Sequence, residues 1–197
     1  MKLVGYTITG QDNDSYMFRD NSALNRCTVC GYRLDFSQTN PDYTLTKCSA
    51  HISATYDGQT IVSKKFKEFC ELNEYRRIRF GSFENDSNHF HLVLTRKIKF
   101  DAVRRGTRFE RLCPQCGNHG AVAGATPAYV FVDESLADGF YRTDLIFGSG
   151  NEKAPLNLLG SETRAKLIAA GLGLEDVDFH PAYACGDVPV KPVSGIP

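Results

Sequence analysis

Phe90-His91-Leu92-Val93-Leu94-Thr95 alternates cleanly, with Phe90, Leu92 and Leu94 on one side and His91, Val93 and Thr95 on the other. Successive side chains of a strand project to opposite faces, so this spacing predicts a β-strand. Working outward, Leu3 to Ile8 and Tyr129 to Val132 are rich in strand formers, and Tyr141 to Phe147 and Asp176 to Phe179 are weaker candidates. Upstream of the opening stretch, Ser63 stands as an N-cap before Lys64 to Arg77, where Phe66, Phe69, Cys70 and Leu72 supply one apolar face of a helix. A second helix is predicted over Glu162 to Ala170, begun by Ser161 and closed by Gly171, with Leu167 and Ile168 toward the core. Strands outnumber helices, so the fold class is α+β, mainly antiparallel strands with two or so helices. Residues 1–188 are expected to form a single domain. The last nine residues, 189–197, hold three prolines and a glycine and read as an extended tail.

The bulk composition agrees with a globular protein: 42% of residues are hydrophobic and 23% charged. A chain of 197 residues buries a core without needing metal or disulfides for that purpose alone. The 23 basic and 23 acidic residues cancel, which argues against a net basic nucleic-acid binder. Their distribution is uneven. Residues 64–111 carry thirteen Lys or Arg against seven acids, and residues 112–197 carry five against ten. No apolar run reaches the length of a membrane span, and the opening residues do not read as a secretory signal. The expected location is cytoplasmic, with no membrane partner. In a reducing compartment the seven cysteines stay free or bind metal.

Four of those cysteines form a pattern. Cys27-Thr28-Val29-Cys30-Gly31 recurs in form as Cys113-Pro114-Gln115-Cys116-Gly117. Two cysteines separated by two residues can turn both sulfurs toward one ion, and two such pairs complete a tetrahedral set suited to Zn2+. The glycine after each pair permits the positive φ of a tight turn. The expectation is one structural zinc ion on Cys27, Cys30, Cys113 and Cys116, in a split zinc ribbon with knuckles at 27–31 and 113–117. Two separate redox pairs, or unrelated turn cysteines, are the alternatives. Cys48 with His51, and His89 with His91, could contribute to a second metal site, and His119 lies beside the second knuckle. The bland reading of each is a hydrogen-bonded or solvent-facing side chain.

Catalytic signatures are missing. The sequence has no Gly-x-Ser-x-Gly, no phosphate loop ending in Gly-Lys-Ser/Thr and no His-Glu-x-x-His. A closed four-thiolate site leaves no ligand position for substrate, so the chain is expected not to be an enzyme. Arg96 to Arg111 holds seven basic residues with Phe100 and Phe109 interleaved, a strip that could grip nucleic-acid phosphates. The neutral total charge makes that the second choice.

The two Cys-x-x-Cys-Gly motifs, set far apart, resemble the double-CXXCG-motif family of bacterial toxin-immunity proteins. The similarity continues through Phe140-Tyr-Arg-Thr-Asp-Leu-Ile-Phe-Gly148, through Ser161-Glu-Thr-Arg-Ala-Lys-Leu-Ile-Ala-Ala-Gly171, and into a strand at Val177 to His180. The resemblance implies a non-enzymatic protein that binds a cognate secreted antibacterial toxin and occludes its active site. It carries over Cys27, Cys30, Gly31, Cys113, Cys116 and Gly117, and no catalytic residue. If the toxin is a nuclease, its substrate groove is basic, and an acidic surface could mimic the nucleic acid. The candidates for that surface are Asp133, Glu134, Asp138, Asp144, Glu175, Asp176 and Asp178.

Overall fold

The computed structural model describes residues 1–18, 25–45, 50–150, 152–173 and 177–184. The expected tail, Cys48, Cys185, Glu175 and Asp176 lie outside the described residues. In chain order the elements are β1 (Lys2–Asp12), β2 (Ile52–Ala54), β3 (Thr60–Ser63), α1 (Lys64–Leu72), β4 (Ile78–Ser82), β5 (His89–Leu94), β6 (Lys97–Ile98), α2 (Ala102–Arg105), β7 (Arg108–Leu112), β8 (His119–Ala123), β9 (Ala128–Val130), β10 (Phe140–Ser149), β11 (Glu152–Leu159), α3 (Ser161–Ala169) and β12 (Val177–Ala184). The α+β class is confirmed, and most strand pairs are antiparallel.

The strands run β4-β5-β3-β2-β1-β11-β10-β8-β7, with β12 paired to β1 and β9, and β6 paired to β10. Strand β1 joins the two halves. Its first part lies against β12 and β11, and its end, Gln11 and Asp12, pairs in parallel with Ser53 and Ala54 of β2. The centre is buried on both faces. Leu158 and Leu159 are consecutive on β11, both are 0% exposed, and they point into different core clusters. One cluster gathers Val4, Phe100, Val130, Tyr141, Phe147 and Ala182. The other gathers Ile8, Val62, Phe66, Leu92, Leu94 and Leu167, with α1 and α3 contributing.

The opening stretch is a strand, β5, in register Leu94 to Ile78 and Phe90 to Ser82 on β4, and Phe90 to Val62 on β3. Its alternation holds, since Leu92 and Leu94 enter the second cluster. Its opposite face is also covered: His91 and Val93 are buried, and His91 Nδ1 lies 2.8 Å from Thr39 Oγ1.

Helix α1 begins where the sequence places it, with Ser63 Oγ accepting from the Phe66 N–H at 3.2 Å. It ends five residues early. Asn73 caps it, donating its Nδ2 to the Phe69 carbonyl at 2.9 Å, and Glu74 turns the chain with φ 54. Leu72 lies beyond the apolar face and is exposed. In α3 the cap position falls to Gly160, without a side-chain hydrogen bond, one residue before the expected Ser161. Leu167 is fully buried there and Ile168 half-buried. Gly148-Ser149-Gly150 lies at the β10–β11 turn, where Ser149 pairs with Glu152.

Candidate metal centre

The two knuckles are near copies in geometry. In the first, the Cys27 N–H donates to the Tyr32 carbonyl at 2.8 Å and the Gly31 N–H to the Cys27 carbonyl at 2.9 Å. In the second, the Cys113 N–H donates to the Asn118 carbonyl and the Gly117 N–H to the Cys113 carbonyl, both at 2.9 Å. The flanking pairs also match: Arg26 bridges Arg33, and Leu112 opposes His119. Gly31 and Gly117 have φ of 70 and 68, the left-handed region in which a Cβ is penalised. The first knuckle closes a loop, and the second forms the turn of the β7–β8 hairpin.

Folding brings the pairs together. The four sulfurs lie within 4.8 Å of one another. Across the pairs, Cys27 Sγ is 3.9 Å from Cys113 Sγ and Cys30 Sγ is 3.6 Å from Cys116 Sγ. A tetrahedral ion with metal–sulfur bonds of about 2.3 Å sets its sulfurs about 3.8 Å apart. Both distances are far longer than a disulfide bond of about 2.05 Å. The donor set and its spacing therefore fit a metal ion, and each sulfur is a free thiol. Gln115 Nε2 reaches Thr28 Oγ1 at 3.4 Å, a second link between the knuckles.

The electrostatics suit a cation at the centre. The Asn118 backbone N–H is the largest of the influences that bring Cys116 down to about 6. The N–H groups of Cys30 and Val29 lower Cys27. At Cys30 the Tyr32 N–H also favours the thiolate, but lost hydration and the neighbouring Cys113, Cys116 and Cys27 push its pKa up to about 12. Four crowded thiols cannot all ionise unaided, and a bound cation removes that conflict.

Sequence reasoning missed the cation that borders the site. Lys153 on β11 is only 5% exposed; its Nζ donates to the His119 carbonyl at 2.6 Å and lies 4.6 Å from the centre of the Tyr32 ring. Burial lowers its pKa, while Cys30 and Cys116 pull it the other way. Nothing in the run Glu152-Lys153-Ala154-Pro155 distinguishes this lysine from a surface one.

The histidines take ordinary partners. His51 Nδ1 meets Ser63 Oγ at 2.9 Å, and His89 Nδ1 meets Asp86 Oδ2 at 2.8 Å. Burial pushes His91 down to about 3, so it stays neutral. Among the described residues, Cys27, Cys30, Cys113 and Cys116 are the one group placed to hold a metal. Cys70 is buried on α1 as a core residue.

The acidic candidates separate. Asp133, Glu134 and Asp178 are exposed. Asp138 is engaged internally: its carboxylate accepts from Tyr75 Oη at 2.8 Å, Thr163 Oγ1 at 2.7 Å and Lys166 Nζ at 2.5 Å. Asp144 Oδ1 accepts from the Phe100 and Leu145 N–H groups, both at 2.9 Å. In the basic strip, Arg96 stacks on Tyr141, Lys99 on Phe131, Arg104 faces Asp101 and Arg105 donates to the Thr126 carbonyl. Among the described residues Lys97, Arg108 and Arg111 show no such contacts, and β7 is exposed along its whole length.

Fold and site together define an α+β protein with a closed four-thiol centre. No known protein family matches the sequence, and no curated protein and no solved structure matches it either. No helix among the described residues is long and apolar enough to cross a membrane.

Proposed function

We propose that this chain is an immunity protein, one that binds a cognate secreted antibacterial toxin and occludes its active site, and that its four cysteines hold one structural Zn2+. The observation that carries the reading is the convergence of two Cys-x-x-Cys-Gly knuckles, with 81 residues between them, on one set of thiols. These motifs are the ones that the resemblance to the double-CXXCG-motif proteins carries over. Four thiolates favour zinc among the tetrahedral ions, and they leave no position open for water or substrate. The centre then acts as a clip, and function falls to the surface it supports. Of the acidic residues suited to a nuclease toxin, Asp133, Glu134 and Asp178 have side chains free to meet it. The alternative, nucleic-acid binding by the strip at 96–111, is weakened because four of its seven basic side chains are spent on the chain itself.

The test is co-expression with the product of the adjacent gene. Co-purification and rescue of growth are expected, and Asp133→Lys with Glu134→Lys should slow association in a salt-dependent way. Failure to bind or rescue, together with tight salt-sensitive binding of labelled RNA or DNA, would replace the proposal with the alternative.

A further inference from the structure

A cavity of about 550 Å³ is lined by residues from both halves of the sheet. Strands β4 and β5 line one side, and β6, β10 and β11 the other. The segments leaving the two knuckles, from Tyr32 and at Asn118, form part of its wall. The volume is that of an ordinary ligand pocket.

Three cations face this space from three strands: Arg79 on β4, Lys97 on β6 and Arg142 on β10. Among the described residues none of them makes a side-chain hydrogen bond or an ion pair within 4.0 Å. The two carboxylates of the cavity have local donors on Oδ1; Asp35 also acts electrostatically on Arg79 and Arg142, and Asp144 on Arg142, without a hydrogen bond to either arginine. Asp35 Oδ1 accepts from the Ser37 N–H and Oγ at 2.8 and 2.7 Å, and Asp144 Oδ1 from two backbone N–H groups. Arg142 is half-buried, and burial lowers its pKa. A half-buried guanidinium without a hydrogen-bonded counter-charge is destabilised, and an anion arriving there relieves it.

We propose that this cavity is a binding site for an acidic peptide segment of a partner protein, whose carboxylates pair with Arg79, Lys97 and Arg142. Cations delivered by separate strands suit carboxylates spaced along a chain better than one compact ion. The chain's balanced total charge argues against nucleic acid as the occupant. Ile146 and Pro155 offer apolar surface to the methylene stems of glutamate. The site stands on the cavity alone and does not depend on the immunity reading.

The probe is fluorescein-labelled hexaglutamate, titrated into the full chain at low salt and followed by anisotropy. Free glutamate, inorganic phosphate and oligothymidylate serve as competitors. The double variant Arg79→Gln with Arg142→Gln should weaken peptide binding at least tenfold. The double variant Arg108→Gln with Arg111→Gln removes the same charge from β7 and should weaken it less than twofold. Should the first variant fail to fold by circular dichroism, Lys97→Gln, at an exposed position, should still weaken binding about threefold. Equal weakening by both double variants would overturn the proposal. So would no binding of hexaglutamate at millimolar protein, or displacement by phosphate, glutamate or oligothymidylate at matched charge concentration.

Discussion

If the four-thiol centre holds the proposed metal, stripping it should destabilise the chain by an amount that the loop it closes predicts. Cys27 and Cys113 are 86 positions apart. A cross-link closing a loop of that length removes unfolded-chain entropy worth about 4.6 kcal/mol at 25 °C. The clip acts on the folded side as well, since the knuckles touch through Gln115 and Thr28. For a chain of this size each kcal/mol moves the melting temperature by about 2–4 °C. Removal should therefore lower it by about 9–18 °C. The assay is a thermal melt followed by circular dichroism, before and after a strong chelator, with zinc counted by mass spectrometry. One zinc per chain is expected at the start and none afterwards. Cys113→Ser should show the same fall, and chelator should add nothing further to it. A metal-free chain melting within about 2 °C of the loaded one would refute the reasoning, because the knuckles would then be held together by packing alone.

Two further perturbations test the parts around the clip. Gly117→Ala places a Cβ in open space at φ 68, so only backbone strain opposes it; a loss of about 1 kcal/mol in urea unfolding is expected, with zinc content unchanged. Asp138→Asn should cost about 2 kcal/mol, because it weakens hydrogen bonds from Tyr75, Thr163 and Lys166 that tie α3 to the segment after α1. Burial alone would raise the Asp138 pKa, but those three donors, Lys166 foremost, hold it below the usual carboxylate range. A depressed folded-state pKa stabilises the fold above the unfolded value of about 3.9, and that contribution is lost as pH falls through the folded value. The gap between wild type and Asp138→Asn should thus be full above about pH 5 and shrink below about pH 4. A gap independent of pH would show that the carboxylate charge plays no part.

Local signals sufficed wherever apolar residues recur at an element's own period, even in β5, whose second face is also covered. The alternation around Leu92 and the Ser63 cap with its Phe66, Phe69 and Cys70 face are of this kind, and both elements are present. Strands β7 and β11 gave no such signal. The first is exposed on both faces, and the second is buried on both near Leu158 and Leu159, so neither alternates. The early end of α1 depends on one asparagine reaching back to Phe69, a competition that helical periodicity does not register.

By itself the sequence determined which residues are chemically equipped: two cysteine pairs, each followed by the glycine its turn needs. Short-range spacing fixes that much, because a knuckle is built from hydrogen bonds within six residues. Only the tertiary structure decided that the pairs meet, with cross-pair sulfurs 3.6 and 3.9 Å apart, and that Lys153 borders them. It also decided that Asp138 serves α3 and that Arg79, Lys97 and Arg142 share one cavity. Those contacts join segments distant along the chain, and their geometry is set by the packing of the two half-sheets about β1, which no local pattern encodes.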